Sequence, residues 1–236
     1  MSQLLLVLDT SGKNGSLALA RVTTELGEIT VPEVVPLAGG TFSAQLVPQI
    51  AALLEKHGYS KNDLTAFVVV NGPGSFTGLR VGLAAVKALA EVLQKPIVVV
   101  SLLEAVACRG PAGGRVLAVL DAGRGDVYVG DYETGARLRG VTGPHRNERL
   151  LSKDQLLAEA LLPENKMRLI LTPDGPLAEA LLAVGIQVER IEYPDSAVIA
   201  RLGWRHLERG ETVGPDELEA KYIRQSDAEI FSKPGP

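Results

Sequence analysis

The chain has 236 residues, 46% of them hydrophobic and only 4% aromatic, and its 24 basic and 28 acidic side chains give a formal net charge of -4. That length and apolar content suit one large domain or two small lobes with cores of Leu, Val, Ala and Ile, and the acidic balance argues against a broad nucleic-acid footprint, leaving room only for a local basic patch. Cys108 is the only cysteine, which excludes an internal disulfide and a thiolate metal cluster; residues 1–9 show no basic leader pattern and no apolar run reaches the roughly 18 residues of a membrane span, so a soluble, cytoplasmic chain is expected.

Leu4–Leu8 is an apolar run typical of a buried strand. Asn14-Gly15 signals a hairpin, because both residues tolerate positive φ, and strands are expected at Ser16–Val22 and Ile29–Leu37. Ser43–His57 follows a helical pattern with Leu46, Val47, Ile50, Leu53 and Leu54 on one face, Pro48 inside it and Gly58 as its stop. Ala66–Val70 is a strand that runs into Asn71-Gly72-Pro73-Gly74-Ser75-Phe76-Thr77-Gly78-Leu79-Arg80-Val81-Gly82, and the helix that starts here, with Thr77 as candidate cap, extends to about Leu93. Pro96–Val100 is the next strand, and Ser101 with Glu104 forms a capping box for another helix.

Gly110-Pro111-Ala112-Gly113-Gly114 interrupts the pattern, which then restarts: strands at Arg115–Leu120 and Val127–Tyr132, a loop at Gly140–Arg149, a helix capped by Ser152 and Gln155 to about Leu162, a strand at Arg168–Leu171, a helix at Pro176–Val184, a strand at Gln187–Ile191 and a long helix at Ser196–Arg209. The tail from Glu211 is polar, with Leu218, Tyr222 and Ile223 as candidate anchors. The repeated order is an internal duplication and predicts two lobes, each a mixed sheet flanked by helices. Lobe I takes residues 1–109 with the helix and tail 196–236 returning to it, and lobe II takes 110–195.

The glycine-rich run offers two readings, a phosphate cradle at a helix N-terminus or a turn that lets two elements pack closely. A phosphate-binding P-loop needs Lys-Ser/Thr after its last glycine, and Gly78 is followed by Leu79-Arg80. Gly72, Gly74 and Gly78 are spaced too widely for a dinucleotide fingerprint, and Ser75 directly after Gly74 is not a nucleophile elbow. His57, His145 and His206 are scattered, without the helical spacing of a metal pair. Asp9-Thr10-Ser11-Gly12 and Asp121-Ala122-Gly123-Arg124 stand at equivalent turns of the two halves. Acids, hydroxyls and glycines there fit either degenerate phosphate loops or ordinary turns. On the helix after the run, Gly78, Gly82 and Ala85 form a small-residue side flanked by Val81 and Leu89, while Leu83, Val86, Ala90 and Leu93 form a second apolar side, which fits either packing within the chain or a partner surface.

Taken together, the glycine-rich run, Leu6-Val7-Leu8-Asp9-Thr10-Ser11, Val119-Leu120-Asp121-Ala122-Gly123-Arg124-Gly125-Asp126-Val127-Tyr128 and Lys221-Tyr222-Ile223-Arg224 resemble the signature segments of the TsaB (YeaZ) family of the glycoprotease (TsaD-like) superfamily, from about Leu4 to Arg224. The resemblance implies a two-lobed actin-like (ASKHA, ribonuclease H-like) α/β fold. It also implies a non-catalytic role in forming N6-threonylcarbamoyladenosine at position 37 of tRNAs that read codons beginning with A. The implied partners are the catalytic relative TsaD, the ATPase TsaE and a second copy of the chain, with tRNA met through the complex. No cofactor of the chain's own is implied, ATP or ADP being left to the complex interface.

The catalytic relatives carry a histidine pair on the first helix; Thr41-Phe42-Ser43-Ala44-Gln45-Leu46 has none, and even the single histidine frequent near Ser43 in the TsaB family is missing. The expected partner surface is Leu46, Ile50 and Leu53 on the first helix with Thr77, Gly78, Val81, Gly82 and Ala85 on the second, and the degenerate phosphate-loop positions are Asp9, Thr10, Ser11, Asp121 and Gly123. The competing expectations are a stand-alone ATPase or peptidase using Asp9 and Asp121, and a structural homodimer with unrelated partners.

Overall fold

The computed structural model describes residues 2–23, 27–135, 146–162 and 168–224. Their contacts divide the chain into two units, residues 1–105 with 194–220, and residues 106–193 with 221–236. Of the described residues, 221–224 group with the second unit, whereas the sequence pattern suggests a return of the tail to the first.

Unit 1 contains β1 (Ser2–Asp9), β2 (Asn14–Thr23), β3 (Glu28–Ala38), α1 (Phe42–Lys56), β4 (Ala66–Gly72), α2 (Phe76–Leu93) and β5 (Ile97–Ser101), and is completed by α6 (Ser196–Glu208). The sheet order is β3-β2-β1-β4-β5. The first three strands form an antiparallel meander, and β1, β4 and β5 run parallel. Leu4, Leu6 and Leu8 of β1 and Phe67 and Val69 of β4 pack in one cluster with Leu46, Ile50 and Leu53 of α1 and Leu83, Val86 and Ala90 of α2. Side chains alternate along a strand, so Val68 points to the other face, where it meets Gly203 of α6. Helices thus cover both faces of this sheet.

α3 (Leu102–Ala107) carries the chain into unit 2, which comprises β6 (Gly114–Gly123), β7 (Asp126–Thr134), β8 (Arg146–Ser152), α4 (Lys153–Ala160), β9 (Leu169–Thr172), α5 (Gly175–Ala183) and β10 (Val188–Arg190). Its sheet order is β10-β9-β6-β7-β8. Taken from β8, both sheets follow the order third, second, first, fourth, fifth strand, so the duplication read in the sequence is a duplication of topology. Leu117, Val119, Val127, Val129, Leu156, Ile170, Leu177 and Leu181 form the core of this unit.

Several local expectations are corrected. Ser75, not Thr77, caps α2, its hydroxyl accepting from the Gly78 amide at 3.3 Å. Residues 146–149, expected in a loop, belong to β8, which pairs antiparallel with β7; residues 140–145 of that loop, His145 included, lie outside the described residues. Glu104, in the first turn of α3, has its Oε1 3.1 Å from His206 Nε2, a contact that the local sequence pattern did not indicate. Tyr222 is more than a third exposed, whereas Leu218 is buried. The capping box at Ser152 and Gln155 forms as expected, and Asp174 and Asp195 are the N-caps of α5 and α6. Among the described residues no helix is long and apolar enough to cross a membrane.

Candidate functional site

β1 and β4 are adjacent parallel strands, so the turn after β1 and the glycine-rich run after β4 emerge at the same end of the sheet. Asp9 ends β1 with its side chain buried; its Oδ1 accepts from the Ser11 amide at 2.8 Å and from the Ser11 hydroxyl at 2.5 Å. Burial pushes the Asp9 carboxyl above its ordinary pKa of 3.8, and the two Ser11 hydrogen bonds oppose that shift without cancelling it. Thr10 is fully buried, and its Oγ1 has no hydrogen-bond partner among the described residues.

α2 lies directly against this turn. The Ser75 amide donates to the Ser11 carbonyl at 2.6 Å. A Cβ on Gly74 would overlap the Ser11 carbonyl oxygen, one on Gly78 the Thr10 carbonyl oxygen, and one on Gly82 the Thr10 hydroxyl. Gly74, Gly78 and Gly82 lie four residues apart, close to the helical repeat, and their missing side chains make the groove that receives residues 10 and 11. The run is therefore a packing device, and Ser11's amide and hydroxyl, the donors a phosphate would need, are turned onto Asp9.

The equivalent turn in unit 2 is open. Asp121 pairs with Lys153 at 3.3 Å and accepts from the Gly123 amide at 3.2 Å. Gly123, Arg124 and Gly125 all have left-handed backbone. An open cavity of about 630 Å³ lies at the carboxyl ends of β6, β9 and β10, lined by Asp121, Asp174, Arg190 and Tyr193 among others. The two sequence-matched turns thus differ: the first is sealed, the second solvated. Among the described residues no three His, Cys, Asp or Glu side chains cluster as a metal site.

The surface residues expected from the sequence separate into two sets. Leu46, Ile50 and Leu53 are 1%, 6% and 2% exposed, inside the core. Gly78 and Gly82 are buried against Thr10. These five cannot touch a partner directly; they hold α1 and α2 in place. Thr77 is exposed, and Val81 and Ala85 are half-buried. The sequence reading did not name Ala84, Ala88 and Val92 on α2 or Ala44 and Ala51 on α1, and it placed Val47 on the inner face with Leu46; all six are exposed, Val92 at 74% and Val47 at 59%. They continue the helical spacing of Thr77, Val81 and Ala85, and the signal available in the sequence was an apolar residue on the side of α2 opposite Leu79, Leu83, Val86 and Ala90. Arg80 is exposed beside it, its guanidinium 3.6 Å from the centre of the Phe76 ring.

Two tandem copies of one mixed-sheet topology with interleaved helices define the actin-like (ASKHA) class of α/β proteins. The family model for TsaD, tRNA N6-adenosine threonylcarbamoyltransferase, matches residues 24–194. The chain belongs to this family. It is 33% identical over 156 residues to the tRNA threonylcarbamoyladenosine biosynthesis protein TsaB of Bacillus subtilis, covering 66% of each chain. It is 36% identical over 92 residues to the protein of that name in Escherichia coli, covering 38% of this chain and 40% of that one. The match spans less than two thirds of the length of either of these curated relatives. An uncharacterized protein of Mycobacterium bovis is 36% identical over 201 residues, 85% of this chain and 83% of its own. The YeaZ structure from Pseudomonas aeruginosa shares the fold, with a TM-score of 0.71 at 24% identity, over 93% of this chain and 99% of that one.

Proposed function

We propose that the chain is a non-catalytic scaffolding subunit of the machinery that forms N6-threonylcarbamoyladenosine on tRNA, and that it docks the catalytic relative TsaD through the outer sides of α1 and α2. The observation that carries this reading is the sealed first turn beneath an exposed helix pair: Asp9 and Ser11 satisfy each other, while Thr77, Ala84, Ala88, Val92 and Val47 leave small and apolar side chains in solvent. Small residues let a partner's backbone approach closely, and a contiguous apolar surface is stabilised by being covered. The same surface on a second copy gives the homodimer, which competes with TsaD for it. TsaE and tRNA join through the complex, in the cytoplasm, and a nucleotide, where bound, belongs to the complex rather than to Asp9.

The test is reconstitution of tRNA threonylcarbamoylation with purified partners, with and without this chain. Ala88→Arg changes only the exposed side of α2; it is expected to lower TsaD binding at least about tenfold while leaving the free energy of unfolding within about 0.5 kcal/mol of the parent. Full modification in the absence of the chain, or undiminished binding by Ala88→Arg together with Val47→Arg, overturns the proposal. ATP or peptide turnover by the isolated chain that Asp9→Ala abolishes would favour the stand-alone enzyme.

A further inference from the structure

We propose that Lys221 and Arg224 form a latch that fastens the 221–224 segment to unit 2 and holds the β6–β7 turn in its shape. The segment leading to it is anchored in unit 1. The Val213 amide donates to the Ile97 carbonyl at 2.9 Å, Asn71 Nδ2 donates to the Glu219 carbonyl at 3.4 Å, and Leu218 is part of the unit 1 core. Lys221 and Arg224, beyond Ala220, contact unit 2. Lys221 Nζ is 2.9 Å from Oε2 of Glu148 on β8, a side chain only 1% exposed, whose Oε1 accepts from the Tyr132 hydroxyl at 2.5 Å. Arg224 pairs with the Asp126 carboxylate and donates to the Gly123 carbonyl at 3.2 Å.

The turn that Arg224 grips is one that needs support. Its register slips between Asp121 and Gly123, and three successive residues, Gly123, Arg124 and Gly125, are left-handed, one of them carrying a side chain. Such backbone persists where its surroundings over-determine it. α4 supplies support from one direction, with the Lys153 amide donating to the Gly125 carbonyl at 2.9 Å and Lys153 Nζ pairing with Asp121. Arg224 supplies it from the tail, engaging the Gly123 carbonyl and the first residue of β7 together. Charge-assisted hydrogen bonds of this kind are stronger than neutral ones, and Lys221 brings a positive charge to a carboxylate that is almost fully buried. The chain passes between the units at 105/106, 193/194 and 220/221; the last passage runs directly into the Lys221 and Arg224 ion pairs. The latch therefore makes the Lys221-Tyr222-Ile223-Arg224 segment a detachable strap controlling the order of the β6–β7 turn, whichever partner occupies α1 and α2.

The full chain tests this through amide hydrogen exchange read by mass spectrometry over residues 118–130 and 146–152, with β1 and β4 as internal references. Lys221→Ala/Arg224→Ala is expected to speed exchange at the β6–β7 turn about tenfold or more while unit 1 is unchanged. Arg224→Ala alone, which strands no buried charge, gives a smaller acceleration at the same amides and keeps the test readable should the double variant fail to fold. Asp126→Asn combined with Arg224→Ala is expected to be less than additive. Exchange at the turn within about twofold of the parent in both variants overturns the latch, and so does an equal acceleration across both units, because that is a general loss of stability.

Discussion

Gly78→Ala separates packing against residue 10 from every other explanation of the glycine-rich run, because two known effects oppose each other in sign. On an isolated helix, alanine is better than glycine by about 1 kcal/mol. In this structure the added methyl overlaps the Thr10 carbonyl oxygen and comes within 3.3 Å of both Phe42 Cε2 and Ser75 Oγ. Neither side yields easily: Thr10 is fully buried at the end of β1, and Phe42 is buried at the start of α1. Overpacking at sites with no give costs roughly 1–3 kcal/mol, and the upper part of that range applies because one collision is with backbone. After the helix-propensity gain, a net loss of about 1–2 kcal/mol remains, equivalent to a fall in melting temperature of roughly 2–8 °C for a chain of this size. The assay is direct, because the single tryptophan, Trp204, lies on α6 in unit 1 and its fluorescence follows that unit's unfolding. Ala84→Gly, exposed on the same helix, is the control and should cost about 1 kcal/mol through propensity alone. A rise in the midpoint for Gly78→Ala would refute the packing account and restore the glycines to a free surface.

Gly82→Arg cannot serve as an interface probe, since its side chain would have to enter the space held by Thr10; it should expose unit 1 to unfolding before partner binding can be measured. Leu46→Ala and Ile50→Ala, in the unit 1 core, are each expected to cost about 2–5 kcal/mol by urea titration, and a loss under 1 kcal/mol would show that α1 does not close that core. His206 contributes a pH dependence: burial alone would lower its pKa, but the Glu104 hydrogen bond and charge, the Val99 carbonyl and Glu211 together raise it above the ordinary 6.5. The stability it supplies is fully present below the unfolded value and is lost as pH rises through the raised folded value, so unit 1 should weaken as the solution is taken upward from about pH 6.5, and His206→Gln should flatten that slope. Asp9 has the opposite character from a salt-bridged acid. Its raised pKa means that the folded state holds its proton more tightly, so stability falls as pH rises from the unfolded value through the folded one. Asp9→Asn should remove that fall without lowering neutral-pH stability and should keep modification activity in the reconstituted system; lost activity with intact folding would return Asp9 to a chemical role.

Local patterns carried the element order and the duplication. Alternation and apolar runs marked β1, β2, β4 and β6, Asn14-Gly15 marked the first hairpin, and Ser152 with Gln155 marked the start of α4, because each depends on residues a few positions apart. β8 was hidden, since Arg-Asn-Glu-Arg-Leu-Leu-Ser has no strand-like alternation and forms only by pairing with β7, where the Glu148 side chain is buried with Tyr132 and Lys221. For the proposed surface, the sequence named two helices but not which of their residues lie in solvent. Three glycines at helical spacing state that something comes close, but not what, and only the adjacency of β1 and β4 puts Thr10 and Ser11 there. That adjacency also determines which side of α2 is left in solvent, and hence why Ala84, Ala88 and Val92, rather than Gly78 and Gly82, are available to a partner. Periodicity along a chain fixes that a helix has two sides; which of them is inside is a property of contacts between residues some seventy positions apart.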